Sequence, residues 1–246
     1  MRFYVGLHQP SDARHFERCM VSVKRLLRRR SDFQVGEWML DSGAFTELHD
    51  HGRYRHSPQE YAERVVRWSR CGRLVAAVSQ DYMCERLILG KTGLTTPNHQ
   101  RLTVERYDAI REAAGDAAYV MPVIQGYWPD EYLACIDLYG GRLKPGMWVG
   151  VGSVCKRNAD VEEIEQVLVA VHRARPDLLL HGFGVKTTAL ESSLVRGCLH
   201  SADSMAWSRA ARWEGRDRNS WKEAAAFAAK IDTQDVRERE FQGRLF

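Results

Sequence analysis

The sequence predicts an α/β fold, a (β/α)8 TIM barrel, on three observations. Short apolar runs alternate with amphipathic stretches, and alternation of that kind implies parallel βαβ units. Seven such runs, with a weaker eighth, suit a closed barrel better than an open sheet. No Gly-x-Gly-x-x-Gly follows the first run, which argues against a dinucleotide-binding sheet.

In chain order the strand candidates are Phe3–Leu7, Trp38–Leu40, Leu74–Val78, Tyr119–Ile124, Met147–Val151, Leu178–Gly182 and Leu199–Ala202, with Met20–Val23 the weaker one. Helix starts lie between them. Ser57-Pro58-Gln59-Glu60 is a capping box with proline at the first helical position. Thr96-Pro97 opens the next helix, and Thr188-Ala189-Leu190-Glu191 is a second capping box. There is no repeat, no low-complexity tract and no Pro/Gly/Ser linker. The length of 246 residues fits one large barrel or two small domains. The expectation is one domain over 1–246, with a helical tail from about 214.

Hydrophobic residues make up 44% and charged residues 28%, ordinary for a globular enzyme. No apolar run reaches the roughly 18 residues of a membrane helix, and the first residues lack the order of a signal peptide, so a cytoplasmic location with no membrane partner is expected. Six cysteines, none in a Cys-x-x-Cys pair, point to free thiols. The net charge is +4. Basic residues concentrate in Lys24-Arg25-Leu26-Leu27-Arg28-Arg29-Arg30 and again at Arg209, Arg212, Arg216 and Arg218. Such clusters are either solvated helix faces or phosphate contacts.

In a barrel of this class the site lies at the C-terminal ends of the strands. There the sequence places Asp41-Ser42-Gly43-Ala44-Phe45, Gln80-Asp81-Tyr82, Ile124-Gln125-Gly126-Tyr127, Gly150-Val151-Gly152-Ser153, Phe183-Gly184-Val185-Lys186 and Ala202-Asp203-Ser204. One such aspartate could simply cap a helix. Three of them, with Gln125 and a ring of glycines, suit a flat ligand lying against exposed backbone. Paired carboxylates serve glycosidic chemistry, one capturing the anomeric carbon and the other moving a proton. A third carboxylate and an amide can read the donor edge of a purine.

These segments, in this order, resemble the tRNA-guanine transglycosylase superfamily. They are most similar to its short DpdA-like deazapurine DNA-modification branch, through Gln80-Asp81-Tyr82-Met83-Cys84-Glu85, Lys91-Thr92-Gly93-Leu94, His99-Gln100, Gly152-Ser153-Val154-Cys155-Lys156-Arg157, His181-Gly182-Phe183-Gly184-Val185-Lys186 and Ser201-Ala202-Asp203-Ser204-Met205-Ala206-Trp207-Ser208. The resemblance spans roughly residues 3 to 213. It implies that Asp203 is the nucleophile and Asp41 the general acid/base, with Asp81 and Gln125 bonding the base. It further implies that Gly150, Val151 and Gly152 form a backbone wall, that Phe183 and Gly184 form the floor, and that Arg209 holds a phosphate or ribose. Gly126, Ser153 and Lys186, in the same segments, complete the substrate-binding set. Tyr127 and Trp207 are either stacking platforms or core aromatics.

Two departures matter. The tRNA enzymes keep a three-cysteine, one-histidine zinc site after the nucleophile, whereas no cysteine follows Cys198 here. The expected fold therefore lacks the zinc subdomain, which in the tRNA enzymes helps hold the tRNA. Ser153 stands where bacterial tRNA enzymes have a glutamate that discriminates the incoming base. Cys84, Cys155, His99 and His181 are either buried thiols and satisfied histidines or soft ligands for zinc or iron; no metal and no cofactor is expected. The resemblance implies exchange of guanine in DNA for a 7-deazaguanine base of the preQ0 type, alongside possible partner proteins of a DNA-modification system. Exchange on tRNA or on a free nucleoside or nucleotide, and a non-catalytic nucleic-acid-binding barrel, are the competing expectations.

Overall fold

The computed structural model describes residues 1–155 and 160–242, the side chains of 232–242 excepted. Lys156 and Arg157 of the family-like segment therefore lie outside the described residues. Among the described residues there are nine parallel strand segments: β1 Arg2–Leu7, β2 Arg18–Ser22, β3 Glu37–Asp41, β4 Arg73–Val78, β5 Val120–Met121, β6 Val123–Ile124, β7 Trp148–Val151, β8 Leu179–Gly182 and β9 Ser201–Ser204. Their order is β5-β4-β3-β2-β1-β9-β8-β7-β6. β5 and β6 are halves of one extended segment divided at Pro122, which has no N–H to give to a ladder. The proline carbonyl still accepts from the Gly150 N–H at 2.9 Å. Since β5 pairs with β4 and β6 with β7, the two ends of the order meet through the chain itself. The result is a nearly closed α/β barrel of the TIM type.

Side chains alternate across each strand with period two, and here that period sorts two cores. Tyr4, Met20, Met39, Ala76, Val78, Met121 and Val123 fill the lumen. Their neighbours Val5, Val21, Leu40, Val149, Leu180 and Ala202 face outward into a larger core shared with the helices. The Pro58–Trp68 helix contributes Tyr61, Val65 and Trp68 to it, and the Val161–Ala174 helix contributes Ile164, Val167, Leu168 and Val171. Parity then places the chemistry. Asp41 is two residues beyond Met39, Gln125 two beyond Val123, and Asp203 pairs directly with Tyr4. All three therefore face the lumen at its C-terminal mouth.

Ser57 caps the Pro58–Trp68 helix as expected. Its hydroxyl accepts from the Glu60 N–H at 3.1 Å, and Glu60 accepts from the Ser57 N–H at 2.7 Å. Thr96–Ala114 is a helix with Pro97 in its first turn. The Trp221–Gln242 helix docks back onto the barrel, with Phe227 5.9 Å from Phe3 and both Ala224 and Ile231 in the outer core.

Three expectations need correction. The weaker candidate Met20–Val23 overlaps a full strand, β2, which runs Arg18–Ser22 and looked weak because a helical turn, Val23–Leu26, follows it at once. The last strand is Ser201–Ser204 rather than Leu199–Ala202, because the Ser193–Cys198 helix consumes the chain up to its C-cap at Leu199. Thr188 caps nothing. The Val185 N–H bonds to the Asp203 carbonyl at 3.0 Å, so the short Thr187–Leu190 helix starts directly afterwards and Thr188 falls inside its first turn. Among the described residues no helix is long and apolar enough to cross a membrane.

Candidate active site

A cavity of about 230 Å3 opens at the C-terminal mouth. Asp41, Asp81, Gln125, Gly152, Ser153 and Asp203 line it together, with Phe183 and Gly184. Met20, Met83, Met205 and Phe45 supply the apolar wall.

Asp41 ends β3 and touches the cavity, while protein encloses its other sides. That enclosure pushes its pKa up. Bonds from the Ser22 hydroxyl and the Gly43 N–H, the latter at 3.1 Å, oppose the rise, and the nearby Asp203 charge adds to it. Gly43 adopts φ +75°, a left-handed conformation that lets its N–H turn back to the carboxylate it follows. Asp203, on β9, accepts at Oδ1 from the Gly184 N–H at 3.0 Å and contacts His181 Nε2 at 3.3 Å.

On the opposite arc of the strand order, Asp81 follows β4. Burial raises its pKa to about 7, with the Asp41 charge as the next contribution. Gln125 Nε2 donates to Asp81 Oδ2. Gln125 Oε1 accepts from the Ser153 hydroxyl at 2.7 Å, and Ser153 Oγ accepts from the Cys84 N–H at 2.9 Å. Ser153 holds φ +56°, in the left-handed region that β-carbon sterics disfavour. Strain of this kind costs about 1–3 kcal/mol and persists only where neighbours enforce it; the two hydroxyl bonds do so here. Gly152 is required by Gln125, because a Cβ there would lie 2.0 Å from Nε2.

Other expected site residues shape the cavity from outside it. Gly150 lies beneath Phe183, whose ring a Cβ would meet at 2.3 Å. Val151 points into the outer core. Gly126 is pressed against the Tyr132 backbone N, 2.8 Å from where its Cβ would be. Lys186 is the N-cap of the Thr187–Leu190 helix, and Arg209 is exposed on the Ala206–Trp213 helix; neither lines the cavity. Trp207 is a core aromatic: it is buried, and its indole donates to the Gly6 carbonyl at 2.9 Å. Tyr127 lies under the Arg86 guanidinium at 5.5 Å and beside the exposed Trp128.

Sequence reasoning missed Ser22, Phe45 and the methionines of the wall. Ser22 sits opposite Asp41 in the β2–β3 register, so a firmer reading of β2 would have found it. Phe45, stacked on His49 at 5.2 Å, was already within the Asp41–Phe45 segment.

The four soft residues have separate engagements. His99 bonds the Met83 carbonyl and Thr92 Oγ1, both at 2.7 Å, and burial holds its pKa down. The carbonyl takes the Nδ1 proton, leaving Nε2 to accept from threonine. Cys84 is buried, Cys155 contacts Glu85 at 3.4 Å, and His181 lies beneath Asp203. Among the described residues no group of three or more His, Cys, Asp or Glu is placed to hold a metal ion.

No protein with a curated description matches this sequence. A family model does, over residues 1–231: DpdA, deoxypurine in DNA protein A. With the barrel and these three carboxylates at its mouth, a match of that extent means that the chain belongs to the DpdA family and so to the deazapurine modification of DNA.

Proposed function

We propose that the protein is a transglycosylase that replaces guanine in DNA with a 7-deazaguanine base of the preQ0 type. The observation that carries the reading is the shared cavity of Asp41 and Asp203, close enough that the charge on Asp203 raises the Asp41 pKa. An Asp203 oxygen attacks the anomeric carbon as the bond to the base breaks, and the bond electrons leave with guanine. Asp41, its pKa raised, gives the departing base a proton. The incoming base loses a proton to Asp41 and displaces the Asp203 ester. Two displacements at one carbon retain configuration.

Asp81 and Gln125 hold the base edge, Gly152 lets the base approach the backbone, and Phe183 lies against its face. Ser153 holds the Gln125 amide in one orientation. In duplex DNA the target nucleotide leaves the stack to reach such a cavity.

The rim supports a nucleic-acid substrate. The two basic segments converge on His8, just beyond β1. Arg25 donates to His8 Nδ1 at 3.0 Å, so His8 Nε2 carries the proton toward Ser208 Oγ, 2.7 Å away. Burial lowers the His8 pKa, and Arg25 and Arg218 lower it further. Arg25, Arg209 and Arg218 are exposed and have no carboxylate partner among the described residues. Lys24, by contrast, is committed to the buried Glu47. Incubation with guanine-labelled DNA and 7-cyano-7-deazaguanine, followed by nucleoside mass spectrometry, tests the reading. Release of labelled guanine with incorporation of the deazapurine is the expected result; no exchange in either DNA form overturns it.

A further inference from the structure

Below Asp203 runs a buried polar chain that the exchange reaction does not by itself require. Trp148, His181 and Ser201 lie on the adjacent strands β7, β8 and β9 and face the lumen, with His181 paired directly to Ser201. The Trp148 indole donates to Ser201 Oγ at 2.7 Å. Ser201 Oγ is 2.9 Å from His181 Nδ1, and His181 Nε2 is 3.3 Å from Asp203 Oδ1. His181 and Ser201 are wholly buried. The imidazole is boxed by Tyr4, Trp148 and Phe183, with centroids at 6.4, 5.9 and 4.7 Å.

The two ends of the chain constrain the protons. An indole N–H only donates, so it occupies a lone pair of Ser201. A carboxylate only accepts, so His181 Nε2 must carry a proton. In a neutral ring Nδ1 is then a lone pair, and the Ser201 hydroxyl supplies its proton to it. Oδ1 of Asp203 thus receives two N–H groups, from His181 and Gly184. Among the described residues Oδ2 receives none.

We propose that His181 is a positioning residue for Asp203. Its Nε2–H, on a ring locked by Ser201 and Trp148, pins Oδ1 and leaves Oδ2 as the atom that forms the bond to the anomeric carbon. This rests on the reading of Asp203 as nucleophile. In the first displacement an Oδ2 lone pair makes the ester bond while the base departs with the electrons of the old bond. In the second the ester electrons return to the carboxylate, and the His181 N–H steadies the charge that reappears on it.

The first test compares two variants. His181→Phe keeps the bulk and removes the donor; exchange should fall about 10- to 100-fold, the worth of a hydrogen bond to a charged group. His181→Gln places an amide N–H at the reach of Nε2 and should restore most of the rate. A packing role predicts the reverse order, and that result would overturn the proposal. The second test needs no activity and no variant that must fold well. In wild-type protein labelled with 15N-histidine, ring shifts report the tautomer, with His181→Gln used only to assign the signal. The Nε2–H tautomer is expected, and the Nδ1–H tautomer would overturn the proposal while leaving the nucleophile reading standing. Wild-type exchange by Asp203→Ala would instead overturn the nucleophile reading and the proposal with it.

Discussion

Asp81 and Asp203 are almost equally buried, 7% and 8% exposed, and they line the same cavity, but their surroundings differ. Asp81 ends a closed network in which the Cys84 N–H, Ser153 and Gln125 follow one another to its carboxylate. Among the described residues Asp203 is held at one oxygen only, by Gly184 and His181. Equal burial therefore does not mean equal work. A carboxylate tied into a rigid amide network is suited to recognition, because its geometry is fixed and its neighbours cannot reorient to accept a wrong partner. A carboxylate with one oxygen unoccupied is suited to forming a bond. On the proposed function, the site divides into a reading arc over β4, β6 and β7 and a reacting arc over β3, β8 and β9.

The largest effect that would break this comparison is at Asp203. Asp203→Ala removes the proposed nucleophile, and Asp203→Asn keeps the shape with a far weaker one; exchange should fall below detection in both. DNA binding should survive, since the proposed phosphate contacts lie at the rim. A denaturation-resistant adduct with DNA is expected for the wild type and absent for Asp203→Ala. Adduct formation by the alanine variant would move the reacting arc elsewhere.

Asp41→Asn should come next. It leaves the nucleophile and removes proton transfer, so kcat is expected to drop by roughly 10²- to 10⁴-fold. Steady-state exchange assays against pH check it, because the acid limb or base limb owed to Asp41 disappears with the carboxyl. A loss below tenfold would assign the proton to another group.

How far these arcs were legible in the sequence differs by residue. Asking which polar residues end the apolar runs gave Asp41, Gln125 and Asp203, because the end of an apolar run beside a glycine is a property of the chain alone. Gly150 and Val151 were read with Gly152 as one wall, yet only Gly152 reaches the cavity. Phe183 bends over Gly150, and that depth ordering is set by tertiary packing. Ser22 stayed hidden because β2 is five residues long and carries an arginine and a cysteine at its start. His181 was read as either a satisfied histidine or a soft ligand, without its partners, since its chain to Trp148 depends on strand register, which no local pattern encodes.

The reading arc is sharpened by pH. With its pKa raised to about 7, Asp81 binds more protons in the folded than in the unfolded state between about pH 4 and 7. Stability therefore falls as pH rises through that window and is level above it. Asp81→Asn keeps the acceptor and abolishes the titration, so its Tm should exceed that of the wild type at pH 8, with the gap closing toward pH 4. The same substitution should raise KM for the base by about 10- to 100-fold above pH 7, where a charged acceptor is lost. Thermal scans and base titrations measure the two effects separately. A Tm gap that widened toward acid pH would contradict the buried, proton-binding Asp81.

The smallest expected effect concerns the rim, and it separates the arcs by partner rather than by chemistry. Arg25 and Arg218 approach His8 at the edge of the reacting arc, far along the strand order from Asp81 and Gln125. If they bind phosphates, removing one weakens DNA binding for every sequence alike and lowers the slope of log affinity against log salt by about 1. The double variant Arg25→Gln/Arg218→Gln should lower it by about 2, and affinity at low salt should drop on the order of tenfold. Binding of the free deazapurine should not change, because no rim arginine lines the cavity. Fluorescence titrations of labelled DNA over a salt series, beside calorimetry with the base alone, read both quantities. An unchanged salt slope would return the two arginines to the role of a solvated surface. A loss of base affinity in the same variant would show that rim and cavity are one recognition unit, and the division into a reading arc and a reacting arc would have to be redrawn around His8.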